Sequence, residues 1–150
     1  MKQGILIAGN IIVDYIKMIE SYPKKLSLVA INKVQRSLGG LLPNVGISLA
    51  RLDQNIPVTL LGYVGDDEEG RFATSRLNQY SNLDCTRIKR QAKTSFTDVM
   101  TIEATGERTF FTYKGADGLL GFDDFDFEKM DARMMPIGYI LLMDGLDATD

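Results

Sequence analysis

The sequence predicts an α/β fold built on a mostly parallel sheet, with a small antiparallel β piece added to it. Three observations carry this expectation. Short apolar runs at 4–8, 57–64 and 137–143 read as strands buried on both faces. Segments with helical spacing alternate with them, as strand–helix–strand units with parallel strands require. The stretch 94–113 reads instead as two strands joined at Ala104, Thr105 and Gly106, and a hairpin is antiparallel.

The elements follow in order. The first strand, 4–8, is rich in Ile and Leu. Gly9 and Asn10 interrupt it, and 11–19 resumes an extended, β-branched pattern broken by Asp14. A carboxylate among apolar neighbours is unusual, and a turn or capping role stays open for it. The segment SLVAINKVQR, 27–36, partly alternates and fits a strand with one wet face. Gly39 and Gly40 break that pattern, and Pro43 suits the first turn of a helix. Val45, Leu49, Ala50 and Leu52 give this helix its apolar side, and it ends near 53–55. After the strand at 57–64, GDDEEG at 65–70 is a polar loop. It leads into a helix over about 71–80 with acidic residues near its positive end. An acidic helix is expected over 122–130 and a buried strand over 137–143. A doubly wound sheet places a helix after such a strand and ligands at its carboxyl end. The residues from Gly145 to Asp150 are therefore expected to fall mid-architecture, at a ligand-facing edge.

Composition narrows the function. The 150 residues suit one domain with a sizeable core. A net charge of −3 without a dense Lys/Arg run excludes nucleic acid and anionic membranes as expected partners. The single cysteine, Cys85, forms no internal disulfide, which fits a reducing compartment and a small buried side chain. With no histidine, imidazole metal sites and Ser-His-Asp triads are excluded. Acid–base chemistry falls to carboxylates, lysines or tyrosines. Lys2 and the apolar run after it mimic a signal peptide, but Asn10 and Asp14 interrupt the run and no small-residue cleavage pattern follows. The run is too short to span a bilayer, so it reads as a core strand of a cytoplasmic protein.

The familiar nucleotide and metal signatures are absent. There is no G-x-x-x-x-G-K-[ST] loop, and ILIAGNIIV lacks G-x-G-x-x-G. With one Cys and no His, neither C-x-x-C nor H-E-x-x-H exists, and no metal site is expected. What remains is a combination. GGLLPN spans Gly39 to Asn44 and leads into VGISLARL. GYVGDDEEG spans Gly62 to Gly70, and TGERTFFTYKGAD spans Thr105 to Asp117.

Taken with Asp14 after the first strand, this order and spacing resemble the ribokinase-like (PfkB) family of carbohydrate kinases over nearly the whole chain. The resemblance implies an αβα sandwich with a small β lid, its strands at about 11–36 and 94–114. It implies a sugar site made of Asp14, Gly39, Gly40 and Asn44. The chemistry suits a sugar, which is a cluster of hydroxyls. Glycines let backbone N–H groups approach closely. An Asn amide both donates and accepts, and an ionised Asp accepts hydroxyl protons in strong charge-assisted bonds. Ribokinases often carry an Asn two residues before the Asp, where this chain has Ile12, and Asn10 is the expected substitute. Relatives acting on phosphorylated sugars often have Lys after the Gly-Gly. Leu41 stands there instead, which favours a neutral sugar or a nucleoside.

GADG at 115–118 is similar to the family's catalytic G-A-G-D, but its order differs and it follows the lid hairpin. Asp117 is therefore expected in a structural or substrate-side role, and Asp66 and Asp67 in a turn and helix start. The resemblance then implies that the catalytic base and the site for ATP and Mg²⁺ lie downstream of Asp150. The chain would be the amino-terminal, sugar-binding half of a kinase, inactive alone. The alternative is a non-catalytic fragment that binds a sugar or a partner, or forms a homodimer through exposed lid edges.

Overall fold

The computed structural model describes residues 4–147. Lys2, and Ala148 to Asp150 of the final stretch, lie outside the described residues. The chain runs β1 (Ile5–Ala8), β2 (Ile12–Ile19), β3 (Ile31–Gly39), α1 (Leu41–Leu52), β4 (Val58–Val64), α2 (Glu68–Leu77), β5 (Leu83–Arg90), β6 (Ser95–Ile102) and β7 (Arg108–Tyr113). Short 3₁₀ turns at Gly115–Leu119, Phe122–Asp124 and Ile140–Leu142 precede α3 (Asp144–Asp147). Among the described residues, no helix is long and apolar enough to cross a membrane.

Two sheets result. The first has the order β1-β4-β5, all parallel. Ile7, Val58 and Leu60 pack on one of its faces against Leu42 and Ala50 of α1 and Ala73 and Leu77 of α2. Leu6, Ala8, Leu61 and Tyr63 pack on the other against Ala116, Leu120, Phe125 and Met143. Burial on both faces is why these strands read as unbroken apolar runs. The second sheet has the order β3-β2-β6-β7. Its outer pairs are antiparallel and its central pair, β2–β6, is parallel.

Several expectations are corrected. The strand expected at 27–36 runs from Ile31 to Gly39, so it reaches the glycine pair directly. In α1 the buried stripe is Leu42, Gly46 and Ala50, one turn apart, while Leu52 is 80% exposed. Gly46 belongs to that stripe because Leu60 lies close against it. α2 starts at Glu68, within the expected loop, because Asp67 caps it by accepting the Gly70 N–H. β5 was not legible, since LDCTRIKR is charge-rich and bulged against β4. Cys85 is half-buried there, and burial pushes its thiol up to about 11.

No α-helix forms over 122–130, only the 3₁₀ turn at Phe122–Asp124. Asp124 accepts from Tyr63 Oη at 2.7 Å, Lys89 Nζ at 2.6 Å and the Gly121 N–H at 2.9 Å. Asp126 accepts from the Lys129 N–H and Nζ. These carboxylates compete with the helical backbone pattern. Nor is 137–143 a buried strand. The chain touches β1 only at isolated bridges, Ile5 with Met134 and Ala8 with Ile137. Pro136 has no N–H to extend the ladder, Tyr139 adopts a φ of 61°, and Leu141 is 85% exposed.

Candidate functional site

The two sheets meet where β1 passes into β2, and the glycine pair sits at that junction. Gly40 has a φ of 92°, and a Cβ there would lie 2.5 Å from the Asn10 carbonyl oxygen, so only glycine fits. A Cβ on Gly39 would collide with the Asp14 carboxylate. The glycines therefore let Asn10 and Asp14 close onto the chain that enters α1.

Asn10 does what Gly40, lacking a side chain, cannot. Its Oδ1 accepts the Leu41 N–H at 2.7 Å and its carbonyl accepts the Leu42 N–H at 3.2 Å. These are orphan donors of the first helical turn. Asn10 is fully buried, and its Nδ2 has no hydrogen-bond partner among the described residues.

Asp14 is half-buried on β2. Its carboxylate makes no hydrogen bond or ion pair with any described residue. Burial alone raises it above the ordinary carboxylate value. In register beside it stand Ser37 of β3 and Thr97 of β6. Directly opposed residues share a sheet face, so two hydroxyls flank the carboxylate. Thr97 in turn shares a 3.1 Å hydrogen bond with Thr112 of β7. Asn44 follows on α1, exposed, with its N–H donating to the Gly40 carbonyl at 3.2 Å. Asn10 thus lies against Gly40 and Asp14 against Gly39, and Asn44 stands one turn beyond them. Ser37 and Thr97 were missed, because the register that aligns them with Asp14 exists only after folding.

Two further carboxylates anchor this junction. Asp117 is 2% exposed and accepts the Ile11 N–H at 3.0 Å. Its own N–H donates to Ser95 Oγ at 3.0 Å, and that hydroxyl donates to the Lys114 carbonyl. The bases of β2, β6 and β7 are thereby tied together. Burial pushes the Asp117 carboxyl up to about 7, against these hydrogen bonds. Asp67 accepts from Gly70 N at 2.8 Å, Thr94 N at 2.8 Å and Thr94 Oγ1 at 2.5 Å. Thr94 Oγ1 accepts the Gly65 N–H at 2.7 Å. These bonds hold Asp67 below the ordinary value despite partial burial. The GDDEEG motif is therefore a structural tie from β4 and α2 to the start of β6. Asp66 is exposed, with Arg71 and Arg90 at 3.9 and 3.8 Å. Among the described residues, no group of three or more His, Cys, Asp or Glu side chains is arranged to hold a metal ion.

Comparison with known proteins agrees with this fold. The profile of the pfkB family carbohydrate kinases matches residues 2–134. No curated protein sequence matches the chain. Among solved structures, a ribokinase from Thermotoga maritima superposes with a TM-score of 0.79 at 14% identity, over 89% of this chain and 44% of that one. A nucleoside kinase of the ribokinase family from Methanocaldococcus jannaschii gives 0.76 at 18% identity, over 91% and 44%. An Arabidopsis thaliana ribokinase, complexed with ribose and ATP, gives 0.75 at 19% identity, over 91% and 45%. The chain spans less than half the length of each.

Proposed function

The chain belongs to the pfkB family of carbohydrate kinases, and from that premise we propose that it supplies the sugar site and lid of an enzyme that transfers phosphate from ATP to a sugar hydroxyl. The observation that carries this reading is the half-buried Asp14 carboxylate, which has no partner among the described residues. A partly buried charge without a hydrogen bond is costly and calls for a reason. A sugar that donates two hydroxyls to it supplies that reason. Asn10, whose Nδ2 is likewise unpartnered among the described residues, positions Gly40 and the start of α1. Gly39 and Gly40 let the ligand approach the backbone. The exposed Asn44 amide both donates and accepts, and so selects one orientation of the ring.

The four-stranded sheet acts as the lid over this site and excludes water from the transfer. ATP with Mg²⁺ supplies the phosphoryl group in the complete enzyme. Among the described residues, no group of three or more His, Cys, Asp or Glu side chains is arranged to hold the Mg²⁺. Asp117 does not serve as the base, because its carboxyl is buried and holds the Ile11 N–H. In this reading the base lies downstream of Asp150, in a cytoplasmic enzyme, and residues 1–150 are its amino-terminal part.

Leu41, with no cation after the glycine pair, favours a neutral sugar or a nucleoside over a sugar phosphate. The structural neighbours from Arabidopsis thaliana and Methanocaldococcus jannaschii span both choices. A second reading, a homodimer through the lid, is favoured by one observation. β7 is exposed along its length, and Leu26 and Leu28 are 99% and 90% exposed.

The test is a titration of the chain with ribose, fructose and adenosine, followed through the amide signals of Gly39, Gly40 and Asn44. Saturable shifts with one ligand, lost in Asp14→Ala with Asn44→Ala, are expected. Unchanged affinity in the folded double variant would overturn the site. The 150 residues alone are expected to make no ADP from ATP, Mg²⁺ and sugar, and sugar-dependent ADP formation would contradict that division of labour.

A further inference from the structure

A second cleft, of about 270 Å³, opens at the edge of β3 between α1 and α2. Arg36, Arg51 and Arg76 line it, and no carboxylate does. The chain as a whole carries a charge of −3, so this is a local concentration of positive charge on an acidic protein. Among the described residues, only Arg36 of these three has a carboxylate partner, Glu68, at 2.8 Å. Arg51 donates to the Tyr80 hydroxyl from Nε at 3.0 Å and from Nη2 at 2.7 Å. The Arg76 guanidinium makes no hydrogen bond or ion pair with a described residue, and it lies 5.5 Å from the centre of the Phe72 ring. The Arg36 guanidinium lies 4.1 Å from the same ring.

The bland account of Arg51 and Arg76 is that each sits in the last turn of its helix and offsets the helix dipole. That account explains two cations at two helix ends. It does not explain why both turn into one cleft beside a third. The Phe72 ring holds two of the guanidinium groups by cation–π contact, and the Tyr80 hydroxyl holds the third, which reduces the ordering cost of binding. Held guanidinium forks match the oxygen pairs of phosphate better than ammonium groups do. Gln79 adds a neutral amide at the wall.

We propose that this cleft binds a small phosphate-bearing anion at a site separate from Asp14. Its wall includes Arg36 and Ser37, and Ser37 stands in register with Asp14. An occupant therefore bears on the strand that ends in Gly39.

The test is a nitrogen–proton NMR titration of the chain with inorganic pyrophosphate at constant ionic strength, with chloride as the control. Saturable shifts of the Arg51 and Arg76 Nε–H signals and of the Gln79 amide are expected. Arg51→Gln with Arg76→Gln should weaken binding by at least about tenfold per arginine removed. Arg51→Lys, which keeps the charge and loses the fork, should weaken it by less. If the double variant fails to fold, Gln79→Glu places a carboxylate in the cleft and should abolish binding. A sugar monophosphate is titrated in parallel. Tighter binding than pyrophosphate assigns an organic ligand, and equal or weaker binding assigns the phosphate group alone. No saturation at constant ionic strength, or equal shifts in a folded double variant or in Gln79→Glu, would overturn the proposal.

Discussion

Asp14 and Asp67 occupy similar settings and end in opposite states. Each stands at a junction between the two sheets, beside a glycine that a Cβ would push against it, close to the start of a helix. Asp67 accepts three hydrogen bonds, and its carboxyl falls below the ordinary value. Asp14 accepts none from a described residue, and burial raises its carboxyl. The first carboxylate holds the fold together. Asp14 is a cost to the fold, and in the proposed function a bound sugar offsets that cost. Local sequence leaves a turn or capping role open for Asp14, and only the folded partners show that Asp67 is bonded to described residues and Asp14 is not.

The comparison can be broken at several strengths. The largest effect is expected from Gly70→Ala. Its Cβ would collide with the Gly65 carbonyl and strain the whole Asp67 tie. A loss of about 3 kcal/mol or more, or failure to fold, is expected in urea unfolding. Near-native stability would show that this tie is loose.

Asp117 tests a carboxylate between the two extremes, bonded yet buried. Its folded value of about 7 lies above the ordinary 3.8. The folded state therefore holds the proton more tightly, and stability falls as pH rises from about 4 to about 7. Asp117→Asn keeps an oxygen for the Ile11 N–H and removes the titration. Its stability relative to the parent should rise by a few kcal/mol across that window and then level off. A difference that does not vary with pH would contradict the buried-acid assignment.

Asp67→Ala comes next, with an expected loss of about 2 kcal/mol from the missing helix cap and the freed Thr94 groups. The smallest effect on stability belongs to Asp14→Ala. It should stay within about 0.5 kcal/mol of the parent, or gain slightly, because no hydrogen bond or ion pair to a described residue is lost. A loss as large as that of Asp67→Ala would erase the distinction between the two carboxylates.

Much of this was legible before folding, for physical reasons. β1 and β4 are buried on both faces, so their apolar runs stand out. The hairpin of β6 and β7 shows its turn residues. The proposed site residues were singled out through the order of separated motifs, and Asn10 through its nearness to Asp14. What was hidden depends on tertiary partners. β5 is charged and bulged, and its place is set by β4. The acidic stretch at 122–130 looked helical until Tyr63, Lys89 and the local backbone claimed its carboxylates. Asn10 as the support of α1, and Ser37 and Thr97 beside Asp14, arise from strand register and chain return across the fold.

The most direct measurement sets stability against binding in one pair of variants, Asp14→Ala and Asp67→Ala, each tested by urea unfolding and by sugar titration. Asp14→Ala is expected to keep its unfolding midpoint and lose sugar affinity by about tenfold or more. Asp67→Ala is expected to lose stability and, under conditions where it is folded, to keep its affinity. If Asp14→Ala instead unfolds early, or binds sugar as well as the parent, the carboxylate is part of the scaffold and the proposed site is wrong.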